Sequence, residues 1–360
     1  MTMLDYFREP RQRISAFLSA QLEEKSRALG GVNDFGRDVV ERLYRFALQG
    51  KMIRGGLVFL GSGVSRNGRD PGPGTEQLVQ AAAAMELFQS ALLVHDDIMD
   101  RDPLRRGQKT LHAQYAELGA SAGAGDAAHL GEGLGICAGD VGYFLAFETL
   151  AGLDVDPRSY RRILQLCARE LSFVGVAQMQ DLYNGATPGA TRDEEILRLY
   201  LYKTGRYSFS LPLMVGGLLA GAAEKTLKRL EELGEHLGIV FQIRDDELGL
   251  FSDAQKIGKP AGSDVREGKK TIYFSHLLRS VSGADRRRLS EVYGNPASGP
   301  QELKYIQELT VRLGIREAVA AMAGGLAEKA RDVIGALPIC RDEDRQVLLE
   351  LLDYARTRPY

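Results

Sequence analysis

Apolar residues recur at three- and four-residue spacing along almost the whole chain, and alternating apolar–polar runs bounded by turns are scarce. A chain patterned this way buries helical faces rather than the sides of a sheet. The spacing predicts helices over 34–49, 75–100, 157–183, 194–207, 225–250, 301–313, 317–334 and 343–356. Pro157 suits a first helical position, because the N–H it lacks would have no partner there. Breaks rich in Gly or Pro fall at 67–74, 119–135, 184–191 and 258–262, and the Ala/Gly-rich 119–135 segment is the expected mobile loop. No break is long or polar enough to separate one domain from another, and no solenoid-type repeat is present. The expectation is an all-α fold, a single-domain bundle of about ten or more helices spanning 1–360.

Composition narrows the function classes. A chain of 360 residues, 44% apolar and 26% charged, buries a sizeable core, and nothing in it suggests a disordered or fibrous protein. With 46 Lys+Arg against 48 Asp+Glu, the formal charge of −2 gives no general attraction to nucleic acid or an anionic membrane. Any anionic ligand must be held by a local cluster. Cys137, Cys167 and Cys340 are scattered, so neither a disulfide framework nor a zinc ribbon is supported, and a reducing cytoplasm is expected. The charged opening MTMLDYFREPRQRI lacks a signal peptide's apolar run. The longest uncharged stretch, 207–223, falls short of the ~20 apolar residues of a spanning helix.

The 75–94 segment is apolar on more than one face, which marks a central helix, and chemistry gathers at its end. LLVHDDIMDRDPLRRG places Asp96, Asp97 and Asp100 there, with Asp96 and Asp100 one turn apart on one face. Like charges in this arrangement repel, and acids at a helix C-terminus oppose its dipole. A divalent cation resolves both conflicts, and Mg²⁺ favours one or two carboxylates plus substrate phosphates. With 48 acids in 360 residues, an acidic triple at fixed spacing arises by chance roughly once per chain. A second copy removes chance as an explanation: VFQIRDDELGLF sets Asp245 and Asp246 at the end of another helix, and GKPAGSDVREGKKT follows with Lys259, Lys269 and Lys270. Two carboxylate pairs facing one another across a bundle could clamp a Mg²⁺–diphosphate cluster, with Lys and Arg on the remaining oxygens.

These motifs, in this order, resemble the trans-isoprenyl diphosphate synthases of the polyprenyl synthetase family over most of the chain. Asp96, Asp97, Asp100, Arg105 and Arg106 fit the first motif, DDxxDxxxxRRG, and Asp245 with Asp246 fit the second. Gly50-Lys51-Met52-Ile53-Arg54 fits the GKxxR element, Lys203-Thr204 the KT pair, Gln242 the Gln three residues before the second motif, and Gly258-Lys259-Pro260 the GKP turn. The 244–271 stretch is most similar to archaeal and actinobacterial members, geranylgeranyl diphosphate synthases among them. Two departures stand out. The third Asp of the second motif is Gly249, and many bacterial members carry His where this chain has Gln89.

The resemblance implies an isoprenoid-synthase bundle around a central cavity, a homodimer, and a 1'-4 condensation of isopentenyl diphosphate with an allylic diphosphate. It implies that Asp96, Asp100 and Asp245 hold Mg²⁺, three ions per site, with Asp97 and Asp246 either ligands or supports. Arg105, Lys203, Lys259 and Lys269 then bind the allylic diphosphate, while Lys51, Arg54, Gln89 and Arg106 form a metal-free pocket for isopentenyl diphosphate. Thr204 and Gln242 stabilise the allylic cation with oxygen dipoles. His95, His112, His129, His236 and His276 read as structural, and Lys270 as solvated. For product length, the residues before the first motif matter. In the family a bulky aromatic five positions before the first motif gives a C15 product, and Ala91 there is small; Phe88, one turn deeper with Leu92 beside it, either sets the next floor or is ordinary core with the tunnel ending elsewhere. This points to a C20 product, with C25 or longer next and C15 third. A non-catalytic subunit of a heteromeric synthase and a terpene cyclase are the competing readings; the first tends to lose one aspartate motif, and the second has no use for GKxxR.

Overall fold

A computed structural model of the chain describes residues 2–66, 74–187, 189–251, 262–339 and 341–358. Positions 67–73 of one expected break, and Lys259 with its GKP turn, lie outside the described residues. The all-α expectation holds: apart from one two-stranded hairpin, every element among the described residues is helical. The chain forms two compact units, each assembled from three stretches.

The first unit comprises Met1–Gln165, Pro212–Leu227 and Pro338–Val347. It contains α1 (Met3–Gly30), α2 (Asp34–Leu48), α3 (Ile53–Ser65), α4 (Thr75–Met99), the hairpin β1 (Leu104–Arg105) and β2 (Gln108–Lys109), α5 (Leu111–Ser121), α6 (Ala127–Ala151) and the start of α7 (Pro157–Ala186). α4 is its axis, packed by α1, α2, α3 and α6. Ala81, Ala82, Ala83, Ala84 and Phe88 on α4 are all 0% exposed, which is why this helix shows no polar face in the sequence. Asp156 caps α7 by accepting from the Ser159 N–H at 3.0 Å, leaving Pro157 at the first helical position as expected.

One expectation fails here. The 119–135 segment is mostly helix: α5 runs on to Ser121, and α6 starts at Ala127 behind an Asp126 cap that accepts from the His129 N–H at 3.0 Å. Gly135, one of the glycines that suggested a loop, is a packing device, and so is Gly139 just beyond that segment. A Cβ on Gly139 would meet His95 Nε2 at 2.2 Å, and one on Gly135 would meet Ile98 Cδ1 at 2.8 Å. They let α6 lie against α4, and that burial outweighs the roughly 1 kcal/mol each glycine costs a helix. α4 and α6 also each have the length and apolar composition of a membrane span, which the sequence pattern assigned to no segment. In α4, 72% of the apolar window is buried inside the protein, the pattern of a core helix.

The second unit comprises Leu166–Leu211, Lys228–Leu337 and Leu348–Tyr360. Beyond the rest of α7 come α8 (Asp193–Tyr200), a π-helix (Leu201–Ser210), α9 (Leu211–Leu219), α10 (Glu224–Phe251), α11 (Ser263–Glu267), α12 (Ile272–Ser280), α13 (Gly283–Val292), α14 (Pro300–Arg312), α15 (Ile315–Ala336) and α16 (Asp342–Thr357); α9 beyond Leu211 and the first turns of α10 and α16 belong to the first unit. Its core gathers Ile196, Tyr200, Ile243, Ile272, Leu277, Leu289, Ile306 and Val319. The sequence predicted one helix over 194–207; the structure changes pitch at Leu201 and holds the wider π turn through Ser210. Pro212, two residues on, has no N–H to give back to that turn, which favours the irregular ladder.

Candidate active site

In the first unit the last turn of α4 separates the adjacent aspartates, because successive residues on a helix point about 100° apart. Asp97 turns inward, its side chain 1% exposed, while Asp96 keeps 24% exposure and Asp100 ends the helix. The hairpin behind them brings back Arg105, whose Nε donates to Asp97 at 2.5 Å and whose guanidinium reaches Asp96 at 3.3 Å. In that hairpin Arg105 pairs with Gln108 across the two-residue turn Arg106-Gly107, at φ +54° and +74°. Both signs positive is the turn that matches strand twist, and Gly at the second place removes half its strain. The RRG sequence is therefore a turn signal as well as a charge pair.

The GKxxR element has the same kind of geometry. Met52 sits at φ +52° immediately before α3, and Arg54 follows on the helix's first turn. Beneath lies Glu86, 5% exposed on α4, accepting from the Gly55 N–H at 2.7 Å. Burial pushes the Glu86 carboxyl up, against the pull of the Gly55 N–H, Arg54 and Arg106. Burial and neighbouring Arg105 lower the pKa of Arg106, whose guanidinium lies over the Phe46 ring at 5.6 Å. So the structure brings Arg54 and Arg106 around one buried carboxylate, with exposed Lys51 and half-buried Gln89 on the flanking turns. Glu86 was not anticipated; an acid inside an otherwise apolar helix was the available signal.

Phe88 and Ala91 are fully buried and Leu92 is half-buried. The Phe88 ring meets Phe147 of α6 edge to face at 4.9 Å, and Ala91 lies against Gly142.

In the second unit, α10 crosses the π-helix so closely that a Cβ on Gly238 would fall 2.0 Å from Gly205 Cα. One turn further along α10, Gln242 accepts from Thr204 Oγ1 at 2.8 Å and donates to Asp246 at 2.9 Å. Tyr200 closes the chain: its hydroxyl donates to the other Asp246 oxygen and accepts from the Ile272 N–H at 2.9 Å. Asp246 is 6% exposed, and its carboxyl is pushed up to about 8, by burial first and by Asp264 next, despite those two donors. Lys203 is held by Asp181 of α7 at 2.5 Å. The KT pair thus stands on an element of rare pitch, where side-chain directions differ from those of an α-helix.

Asp245 has the opposite surroundings from Asp246. Its side chain is 46% exposed and is ion-paired to Arg358, which is itself nearly buried over the Phe241 ring at 3.3 Å. Arg244 Nη2 donates to the Arg358 carbonyl at 2.9 Å, fixing that arm. Glu247 points away, bound by Arg244 at 2.6 Å and Arg316 at 2.8 Å. The missing third Asp also finds an explanation: a Cβ on Gly249 would lie 2.8 Å from an Asp264 carboxylate oxygen. Asp264 fills that space, and Lys269 Nζ stands 3.7 Å from it and 3.0 Å from Glu267. Tyr200, Asp181, Asp264 and Arg358 were not foreseen. Asp264 was visible in the GSD of the downstream motif; Arg358 gave no local signal.

The histidines read as structural behave so where partners are seen: His95 Nε2 lies 3.0 Å from the Ile136 carbonyl. Lys270, expected in solvent, is instead half-buried over Phe274 at 4.9 Å. Among the described residues no three acidic, His or Cys side chains already converge at metal-ligand spacing. The donor chemistry still fits Mg²⁺, since the outward groups are hard carboxylates, and guanidinium groups already place positive charge against Asp96 and Asp245.

A sequence model described as polyprenyl synthetase matches residues 38–310. The short chain isoprenyl diphosphate synthase of Methanocaldococcus jannaschii is 32% identical over 286 residues, 79% of this chain and 80% of that one. The geranylgeranyl diphosphate synthase of Saccharolobus solfataricus is 33% identical over 260 residues, 72% of each chain. Among solved structures, a geranylgeranyl pyrophosphate synthase from Corynebacterium glutamicum, complexed with isoprenyl diphosphate and magnesium, is similar with a TM-score of 0.91 and 27% identity, covering 99% of this chain and 100% of that one. Relatives at 28–30% identity are named geranylfarnesyl diphosphate synthase, nonaprenyl diphosphate synthase and heptaprenyl diphosphate synthase component 2. The fold and these aspartate and basic elements define a trans-prenyltransferase of isoprenoid biosynthesis. The chain belongs to the polyprenyl synthetase family.

Proposed function

We propose that the whole chain works as one catalytic domain, condensing isopentenyl diphosphate with an allylic diphosphate to give geranylgeranyl diphosphate. The observation that carries this reading is the division of labour inside each aspartate pair. Asp97 and Asp246 are buried and bonded within the protein, whereas Asp96 and Asp245 face outward against a guanidinium. An outward carboxylate beside positive charge is poised to exchange that charge for a metal ion. Asp96, Asp100 and Asp245 are the ligands in this account, with three Mg²⁺ per site; Asp97 and Asp246 orient their surroundings. Magnesium, when bound, neutralises the diphosphate as it leaves.

The remaining steps fall to the chain's own side chains. Arg105, Lys203, Lys259 and Lys269 bind the allylic diphosphate; Asp181 fixes Lys203, and Asp264 takes the place of the absent third aspartate. Lys51, Arg54, Gln89 and Arg106 bind isopentenyl diphosphate over the buried Glu86 carboxylate, which limits the repulsion between Arg54 and Arg106. Because the Gln242 amide N–H donates to Asp246, its oxygen is turned to the Thr204 hydroxyl, and the Thr204 lone pairs are directed to developing positive charge. The isopentenyl double bond attacks the allylic cation, and a proton is lost to the released diphosphate.

Small Ala91 removes a C15 floor, and Phe88 braced by Phe147 makes the next, which supports C20. The relative named as a synthase component supports a second reading, a subunit requiring a partner. Incubating the purified chain with Mg²⁺, isopentenyl diphosphate and each of dimethylallyl, geranyl and farnesyl diphosphate separates the readings. Condensation to C20 by the chain alone supports the first, turnover only with a partner the second.

A further inference from the structure

We propose that a cavity in the second unit is a binding site for an amphiphilic anion, a phosphate or diphosphate that carries an apolar chain. The cavity has a volume of about 710 Å³ and lies between the second half of α7, residues Thr187 and Gly189 to Thr191, α8 and Lys270. That is within the roughly 300–1,000 Å³ of ordinary ligand sites. No residue of the aspartate motifs, the GKxxR element or the KT pair lines it. The proposal does not depend on the condensation reading.

The lining has two chemical halves. Phe173 and Val176 of α7, with Leu199 and Tyr202, make an apolar wall in which Phe173 and Tyr202 meet edge to face at 5.4 Å. Val176 is 66% exposed and Phe173 36%, so this wall is wetted as it stands. Arg198 and Lys270 supply the charge. The carboxylate on the wall, Glu195, is already engaged: it accepts from Arg192 at 2.7 Å in the cap of α8, and Arg198 adds a weaker pull. Lys270 makes no ion pair among the described residues; its ammonium lies 4.9 Å from the Phe274 ring. Burial lowers its pKa with no carboxylate opposing. A desolvated cation without a counter-charge is a cost that an anionic head group removes. A free anion would leave the apolar wall wet, and a bare hydrocarbon would leave Lys270 uncompensated. Both halves are satisfied together by a head on Lys270 and Arg198 with a chain along Phe173, Val176, Leu199 and Tyr202.

The chain contains no tryptophan, so a reporter in the cavity is unambiguous. Val176→Trp, at a position 66% exposed, is titrated in EDTA with decyl phosphate below its micellar concentration. A saturable change in emission is expected, with decanol binding at least tenfold more weakly and inorganic phosphate failing to displace the probe. Adding Lys270→Gln and Arg198→Gln should weaken decyl phosphate at least tenfold and leave decanol unchanged, while the circular dichroism spectrum and melting temperature stay the same. Overturning results are no saturable response, equal binding of decanol and decyl phosphate, displacement by inorganic phosphate at the same concentration, or indifference to removal of both cations.

Discussion

Two carboxylates that are neighbours in sequence can differ entirely in chemistry, because a helix points them about 100° apart. Asp245 is outward and paired to Arg358; Asp246 is inward and bonded to Tyr200 and Gln242. Replacing Asp96 or Asp245 by Ala should lower kcat/KM by at least about a hundredfold and raise the Mg²⁺ requirement, since a metal contact to developing charge is worth several kcal/mol. Arg358→Ala should lower the Mg²⁺ concentration needed for half-maximal activity, by removing the competing cation, and should also lower the melting temperature through the lost Phe241 contact. An unchanged Mg²⁺ dependence would contradict the placeholder role. Asp246 gives a pH test. Between its ordinary 3.8 and its folded value of about 8, the unfolded chain has released a proton that the folded protein retains, so this group makes metal-free stability fall as pH rises across that window. Asp246→Asn in EDTA should flatten the decline in melting temperature from pH 4 to 8; an equally steep decline would refute the assignment. The sequence located both pairs. It did not say which member faces inward, because that depends on what Arg105, Tyr200 and Gln242 offer from other segments.

Helices that the sequence marked by spacing are found nearly as expected, and two departures from it, α6 and the π-helix, both trace to tertiary packing. In α6 the glycines serve contact with α4 and α5 at Gly131, Gly135 and Gly139, an effect of tertiary packing that local propensity does not carry. The π-helix was missed for a related reason: the wide turn over Leu201–Ser210 is fixed by Pro212 and by the close crossing of α10 at Gly238. The RRG hairpin turn was written in the sequence but read as charge alone. Gly107, at φ +74°, should therefore resist substitution: Gly107→Ala is expected to cost about 1 kcal/mol of stability and to raise KM for isopentenyl diphosphate more than it lowers kcat. Equal kinetics would mean the turn does not place Arg106. For the α4–α6 contact, Phe88→Ala removes the ring that meets Phe147, and the product should lengthen beyond C20. The loss of a buried aromatic costs about 3–5 kcal/mol, so product length is best read well below the variant's melting temperature.

At the level of the whole molecule, a formal charge of −2 spread over 360 residues is compatible with polyanionic substrates because opposite charges are sorted locally. Carboxylates sit in the last turn of α4 and, five or six residues before Phe251, on α10, and arginines collect around buried Glu86. Composition alone excluded a generally basic surface and carried no more than that; motif order carried the function. Homodimerisation is proposed on the same family grounds, and the exposed Ile136 and Phe144 of α6, at 49% and 73%, offer an apolar face for a second copy. Phe144→Asp should yield monomer by light scattering, and a persisting dimer would assign the contact elsewhere. Whether this chain alone joins isopentenyl diphosphate to an allylic diphosphate is decided by following label into product. Purified protein is given labelled isopentenyl diphosphate, farnesyl diphosphate and Mg²⁺, and the dephosphorylated products are resolved by chain length. Label is expected in a C20 alcohol and is lost when EDTA replaces Mg²⁺; no incorporated label, or label-free cyclised hydrocarbon, would contradict condensation by this chain.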